Sequence, residues 1–152
     1  MKLAEALTER AELSRKVQEL RERIIRNAKH QEGDQPSEDP NELLKEYDKT
    51  TKAFTKLVIA INKTNQKISL GNGESMIDAL AKRDALKLQH SLYKSLATEA
   101  TPKQDRYSKS EIKFVSSVDV ADIQKKADKI GQLCRELDSE IQQANWLNDL
   151  ME

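Results

Sequence analysis

A chain of 152 residues has the length of one domain and enough residues to bury a core. Charged residues make up 34% and aromatic residues 4%, with 4 glycines and 3 prolines, which is typical of helical bundles and leaves too few turn residues for a β-sandwich or barrel. The 26 basic and 26 acidic residues cancel, so no overall charge attracts nucleic acid or an anionic membrane, and a partner must be recognised locally.

The first predicted helix covers about residues 2–30 and ends before a loop that contains Gly33 and Pro36. Its apolar positions alternate in steps of three and four, as in long helices that pack nearly parallel to one another. The second predicted helix covers about residues 40–70, because Asp39 can cap it and Pro40 suits the first helical position. Together these patterns predict two long, amphipathic helices.

The third predicted helix covers about residues 75–100 and follows a glycine-rich turn at residues 71–73. Ser75 and Asp78 have the spacing of a capping box. The apolar residues of this helix spread around more of its circumference than those of the second helix. We therefore expect it to make contacts on two sides, either inside a bundle or at a subunit interface.

An extended segment is predicted at about residues 107–118, since Ile112, Phe114 and Val118 alternate with polar residues. The sequence offers no second strand, so this segment is either a strap along the bundle or half of a ribbon formed with another subunit. The last predicted helix covers about residues 119–148.

Four helices of similar length predict one all-α domain over residues 1–152. The expected fold is an antiparallel four-helix bundle of long coiled-coil-like helices, with one extended strand-like crossing before the last helix. The alternative is a pair of long hairpins that complete a core only on dimerising.

Four polar residues interrupt the apolar stripes at heights that match in an up-down bundle: Arg10, Asn65, Asp84 and Asn145. A buried arginine needs a carboxylate beside it, and Asp84 is the expected partner of Arg10. The pattern predicts an interior polar layer. Its role is either to fix the pairing of the helices or to bind a small ligand.

Catalytic, cofactor and metal residues are not predicted. A di-iron bundle needs Glu-x-x-His pairs, but Asn27 stands at that spacing before His30 and Lys87 before His90. The single cysteine, Cys134, and two distant histidines form no recognisable triad, and no glycine-rich phosphate loop is present. We expect no catalytic residue, no cofactor and no metal ion, and lean against an enzyme.

A second candidate is the basic group Arg106, Lys109 and Lys113, which could bind phosphate or nucleic acid. Asp105 and Glu111 dilute its charge, so a solvated loop is the favoured interpretation and nucleic acid is not expected as a partner.

The longest strongly apolar run, residues 57–61, is far shorter than the roughly 20 residues that cross a bilayer. The charged residues among the first ten leave no room for the apolar region of a signal peptide. No intramolecular disulfide is possible with one cysteine, so nothing points to an oxidising compartment. These features predict a cytoplasmic protein that makes no contact with membranes.

Several segments together carry a family resemblance: MKLAEAL at residues 1–7, QEGD running into EDPN over residues 31–41, DRYSKSEI at residues 105–112 and QANW at residues 143–146. In these segments the chain resembles an uncharacterised family of small bacterial helical proteins, some members of which are labelled septicolysin. The resemblance covers nearly the whole chain and implies a helical fold. The label implies a cytolytic toxin, but the sequence has no secretion signal and no membrane-inserting amphipathic hairpin.

Three functions remain open at this point. The favoured one is a non-enzymatic helical protein that self-associates or docks a protein partner through its helix faces. The second is a small-molecule-binding protein or enzyme that uses the layer of Arg10 and Asp84. The third, which the sequence disfavours, is the cytolysin-like toxin that the family label suggests.

Overall fold

The computed structural model describes residues 1–103 and 112–152. It contains four long helices: α1 (Leu3–Arg26), α2 (Pro40–Asn65), α3 (Met76–Ala100) and α4 (Val120–Leu147). No regular β-strand is present in these residues, and Lys2 and Asp149 form an isolated bridge. The predicted all-α, four-helix fold is confirmed, and the helix bounds agree with the expected ones to within a few residues.

The helices begin where polar side chains can satisfy their free backbone N–H groups. The Asp39 carboxylate accepts a hydrogen bond from the backbone N–H of Asn41 at 2.9 Å, with Pro40 at the first position of α2. The Ser75 hydroxyl accepts from the N–H of Asp78 at 3.2 Å and caps α3. Both caps were predicted from the sequence.

The chain divides into two compact units, residues 1–69 with 143–152, and residues 70–142. Each is described by itself, and the expectation that residues 1–152 form one domain stays a prediction.

In the first unit α1 and α2 form an antiparallel pair. Lys16 near the middle of α1 contacts Glu46 of α2 at 2.8 Å, whereas Arg23 near the end of α1 bonds Glu38 just before α2. The core of this unit consists of buried apolar side chains, among them Leu3, Ala6 and Leu20 of α1, Leu43 and Ile61 of α2, and Ile68 just after α2.

The C-terminal residues of the chain close this unit by backbone hydrogen bonds. The N–H of Leu3 donates to the carbonyl of Asn148 at 3.0 Å, and the N–H of Leu150 donates to the carbonyl of Met1 at 2.9 Å. The N–H of Met151 donates to the buried Thr64 hydroxyl at 2.9 Å. The two ends of the chain are therefore held together beside the end of α2.

In the second unit α3 packs antiparallel to α4. Arg83 bonds Asp138 near one end of the pair, and His90 lies against Gly131 further along. Small and apolar residues are buried on the facing sides: Met76, Ala79 and Ala97 of α3, and Ile123, Ala127 and Ile141 of α4. Two helices give each other one covered face only, so their outer faces stay open to solvent.

The predicted extended crossing falls partly on residues 104–111, which lie outside the described residues. The described part, residues 112–118, belongs to no helix and to no regular strand. Ile112, Phe114 and Val115 are exposed there. The alternating pattern therefore marks a connection between α3 and α4 whose side chains are largely in water.

Candidate self-association surface

Helix α3 carries two apolar stripes on opposite sides. The inner stripe faces α4, alternates in steps of three and four residues, and consists of Met76, Ala79, Arg83, Leu86, His90, Tyr93 and Ala97. The outer stripe consists of Ile77, Ala81, Ala85, Leu88 and Leu92. Because successive residues turn by about 100° around a helix, Leu88 lies about 200° from Leu86 and from His90 and points away from α4.

The outer stripe is exposed. Leu88 is 74% and Leu92 64% accessible to solvent, and Ile77 is 47% accessible. Ala81 and Ala85 between them are exposed as well. Leu88 and Leu92 are one turn apart, so with the two alanines they form a continuous apolar patch.

In the first unit the exposed apolar residues include single residues of α1 and α2 and, at the end of α4, the neighbouring pair Trp146 and Leu147. Its exposed aliphatic residues in α1 and α2 are single ones, Ile25, Leu44 and Ile59, and the two in α2 are four turns apart. Isolated apolar residues on a surface are normal, whereas neighbouring ones mark a binding surface. The outer stripe of α3 is therefore a stronger candidate for a functional surface than the single residues of α1 and α2.

Most charged residues next to the outer stripe form ion pairs with residues that lie outside the stripe. Lys82 forms an ion pair with the Glu74 carboxylate, which raises the pKa of the Lys82 ammonium. Arg83 turns towards α4 and bonds Asp138 at 3.1 Å. Asp84 at the edge of the stripe is the one acidic residue between Ala81 and Leu92; its side chain is 70% exposed and lies 3.9 Å from Arg83 Nε.

The four residues of the predicted interior layer differ in their exposure to solvent. Arg10 and Asp84 are exposed, Asn65 is half-buried and Asn145 is buried. Arg10 reaches water because a two-helix pair leaves the edge of its stripe open, and a long side chain can lie along that edge with its charge hydrated. Asp84 is exposed because it lies on the far side of α3 from α4. Arg10 and Asp84 belong to different units, and the prediction that they pair stays a prediction.

Sequence reasoning missed Arg83, the neighbour of Asp84. Arg83 occupies a regular position of the inner stripe, and its side chain is only 21% exposed. Its position seven residues from both Met76 and His90 was the signal that could have identified it. Helix α3 thus makes a polar contact with α4 through Arg83 and Asp138, and Arg83 is one residue before Asp84, the residue that the sequence predicted to be interior.

A second polar cluster joins the end of α1 to the loop before α2. The Arg23 guanidinium donates two hydrogen bonds to the Glu38 carboxylate, one of them from Nε at 3.0 Å. The buried Asn27 accepts from the backbone N–H of Glu38 at 3.1 Å. The hydrogen bonds from Arg23 lower the pKa of the Glu38 carboxyl. This cluster fixes the loop before α2.

The candidate basic loop is only partly described. Arg106 and Lys109 lie outside the described residues, and Lys113 is exposed. Within residues 1–103 and 112–152, no three His, Cys, Asp or Glu side chains are arranged to hold a metal ion. None of the helices in those residues has an apolar stretch long enough to span a bilayer.

Comparison with known proteins defines the family. Residues 10–150 match the model of a family of unknown function, DUF6847. A crystal structure of a functionally unknown conserved protein from Corynebacterium diphtheriae is 45% identical, with a TM-score of 0.91 over 99% of this chain and 99% of that chain. No curated protein matches the chain. The chain belongs to this family of unknown function.

Proposed function

We propose that this chain acts as a non-enzymatic self-association protein, in which two copies pair through the outer stripe of α3. The observation that carries the proposal is the exposure of Leu88 and Leu92, 74% and 64%, on the side of α3 opposite α4. A helix with a second apolar stripe needs a second partner, because continuous apolar patches on monomers are small or functional.

A second copy is the favoured occupant because the stripe is self-complementary when two α3 helices run antiparallel. With the two-fold axis between residues 86 and 87, Leu88 faces Ala85 of the partner subunit and Leu92 faces Ala81 of the partner subunit. Each large side chain then meets a small one, so the layers interdigitate at an even spacing. Parallel pairing would set leucine against leucine and alanine against alanine, which alternates wide and narrow layers.

The flanking residues fit the same antiparallel register. On one side of the stripe Lys82 lies nearest Gln89 of the partner subunit, and on the other side Asp84 lies nearest Ser91 of the partner subunit, each pair being offset by two residues along the helix axis. No like charges meet along the central turns, and both charged groups gain a neutral hydrogen-bonding neighbour.

The expected affinity is moderate. Burying the exposed parts of four leucines, two from each copy, is worth about 4–8 kcal/mol, since a full leucine contributes roughly 1.5–3 kcal/mol. Association itself costs about 4–15 kcal/mol in lost motion. The stripe therefore supports a dimer whose population rises with protein concentration. An obligate dimer would need further contacts outside α3.

Disulfide trapping tests both the surface and the direction of pairing. Ala81→Cys and Leu92→Cys are made separately in a Cys134→Ser background, and one of the two proteins carries a size tag. Mixing them under mild oxidation is expected to give the mixed disulfide, because these positions face each other in the antiparallel dimer.

Either protein alone is expected to remain uncrosslinked, since equal positions are about 16 Å apart along the axis in that dimer. Thr55→Cys, at an exposed polar position of α2, measures crosslinking by random collision. Efficient crosslinking of Ala81→Cys with itself would refute the antiparallel register. If every cysteine pair formed disulfides only at the rate of the Thr55→Cys control, pairing through the outer stripe would be refuted.

A further inference from the structure

A groove on a different side of the α3–α4 pair has the chemistry of an anion site. Its volume is about 280 Å3, and its walls are Lys87 and His90 of α3 with Gly131, Cys134, Arg135 and Asp138 of α4. Lys87 and His90 are one turn apart, as are Gly131 and Arg135, so both helices direct basic side chains towards the same space.

Gly131 brings two of these groups together. A glycine inside a helix costs about 1 kcal/mol relative to alanine, so its place in α4 needs a reason. A methyl group at Gly131 would lie 3.1 Å from His90 Nε2 and 3.4 Å from Arg135 Nη1. Both nitrogens therefore lie close to the same glycine. Because Gly131 has no side chain, the space between the imidazole and the guanidinium stays open.

The positive charges of this groove lack acidic partners. Within residues 1–103 and 112–152, no carboxylate lies within ion-pair distance of Lys87 or Arg135. Within the same residues His90 makes no side-chain hydrogen bond. The one acid of the groove, Asp138, is already bonded to Arg83 at 3.1 Å. An ammonium, a guanidinium and an imidazole thus line one cavity and leave their donors for a ligand.

We propose that this groove binds a phosphate-sized oxyanion, either inorganic phosphate or the phosphate group of a small metabolite. Arg135 offers paired N–H donors, Lys87 a point charge and His90 a ring nitrogen, which is a donor set suited to a tetrahedral oxyanion. The groove is short and the whole chain has no net charge, so a small anion fits better than a nucleic acid strand. The site is independent of self-association through the outer stripe.

Titration with inorganic phosphate, followed by NMR at fixed pH and ionic strength with chloride as the competing salt, tests this site. We expect saturable shifts of the His90 ring and the Gly131 amide, with no saturable shift at His30. Arg135→Gln and Lys87→Gln should each weaken binding by about tenfold, because each removes a charged hydrogen bond. Lys129→Gln, an exposed change in the same helix, should leave the affinity unchanged.

Gly131→Ala distinguishes the contribution of the cavity from that of the charges. It keeps every charged group but fills the space between His90 and Arg135. With its helix content verified by circular dichroism, this variant should lose saturable binding. The proposal is overturned if the wild-type His90 shift is linear in phosphate and equal to that of His30. It is also overturned if Arg135→Gln binds phosphate as tightly as the wild type.

Discussion

The Arg83 guanidinium donates to the Asp138 carboxylate at 3.1 Å, and the two side chains differ in exposure, 21% against 42%. The contact joins α3 to α4. Losing its partner costs Arg83 more than Asp138, because Arg83 has less access to water. Arg83 is more buried, and its Nε has no hydrogen-bond partner in the described residues, whereas Asp138 can be hydrated on its open side.

We therefore predict asymmetric effects of removing either partner. Asp138→Ala should lower the free energy of unfolding by about 1–3 kcal/mol, because it leaves a half-buried guanidinium without its acceptor. Arg83→Met, which keeps the apolar stem, should cost no more than about 1 kcal/mol. Asp84→Ala, the exposed neighbour, is the control and should change stability by less than about 0.5 kcal/mol. Urea unfolding measures all three, and equal costs for the two partners would contradict this account.

The buried Thr64 hydroxyl holds the C-terminus, since it accepts from the N–H of Met151 and donates to the carbonyl of Ala60 at 2.8 Å. Thr64→Val should cost about 1–3 kcal/mol because the Met151 N–H loses its acceptor. Amide exchange of Met151 should also become faster. Thr55→Val removes the same type of bond within α2 at an exposed position and should cost less than about 0.5 kcal/mol. Equal losses for the two variants would show that Thr64 acts only within its helix.

The Arg23–Glu38 contact predicts a pH effect on stability. Arg23 lowers the pKa of Glu38 in the folded protein, so the unfolded state binds a proton more readily at this residue. Its stabilising contribution is complete above the usual glutamate pKa of about 4.3 and is lost as the pH falls through the lower, folded value.

Melting temperatures measured from neutral pH to about pH 3 test this effect. Wild-type protein should melt higher than Glu38→Gln at neutral pH, and the difference should shrink on acidification. Glu32→Gln, an exposed change in the same loop, should show a constant offset. A difference between wild type and Glu38→Gln that stays constant down to pH 3 would contradict the assignment.

The contact between Gly131 and His90 predicts that the effect of Gly131→Ala on stability changes sign when His90 is removed. Gly131→Ala gains about 1 kcal/mol of helix propensity but places a methyl group 3.1 Å from His90 Nε2. We expect the substitution to destabilise the wild type and to stabilise a His90→Ala background by about 1 kcal/mol. A double-mutant cycle in urea provides the measurement, and a coupling energy of zero would contradict the contact.

The helices could be predicted from the sequence because their signals are local. Asp39, Pro40 and Ser75 mark helix starts by backbone chemistry within one turn, and the structure has those caps. Gly73 adopts a φ of +85° in the turn before α3, a conformation that favours glycine, as the glycine-rich turn predicted. The extra apolar residues of α3 were also visible, and they form its outer stripe.

The polar contacts could not be predicted because they depend on which helices face each other. A shift of one residue turns a side chain by about 100°, so Arg83 faces α4 whereas its neighbour Asp84 is turned away from α4 and exposed. The pairing of Arg10 with Asp84 assumed four helices matched in height, which periodicity does not establish. The groove at Gly131 depends on a single close approach of His90, and the sequence carries no signal for it.

The mass of the protein in solution tests the central proposal most directly. Light scattering coupled to gel filtration, run over a range of concentrations, should show wild-type protein rising from 17.3 kDa towards twice that mass. Leu88→Glu should remain at 17.3 kDa with unchanged helix content, and Thr55→Glu should dimerise like the wild type. Wild-type protein that stays at 17.3 kDa at the highest concentration, or a dimer that Leu88→Glu leaves intact, would contradict self-association through the outer stripe of α3.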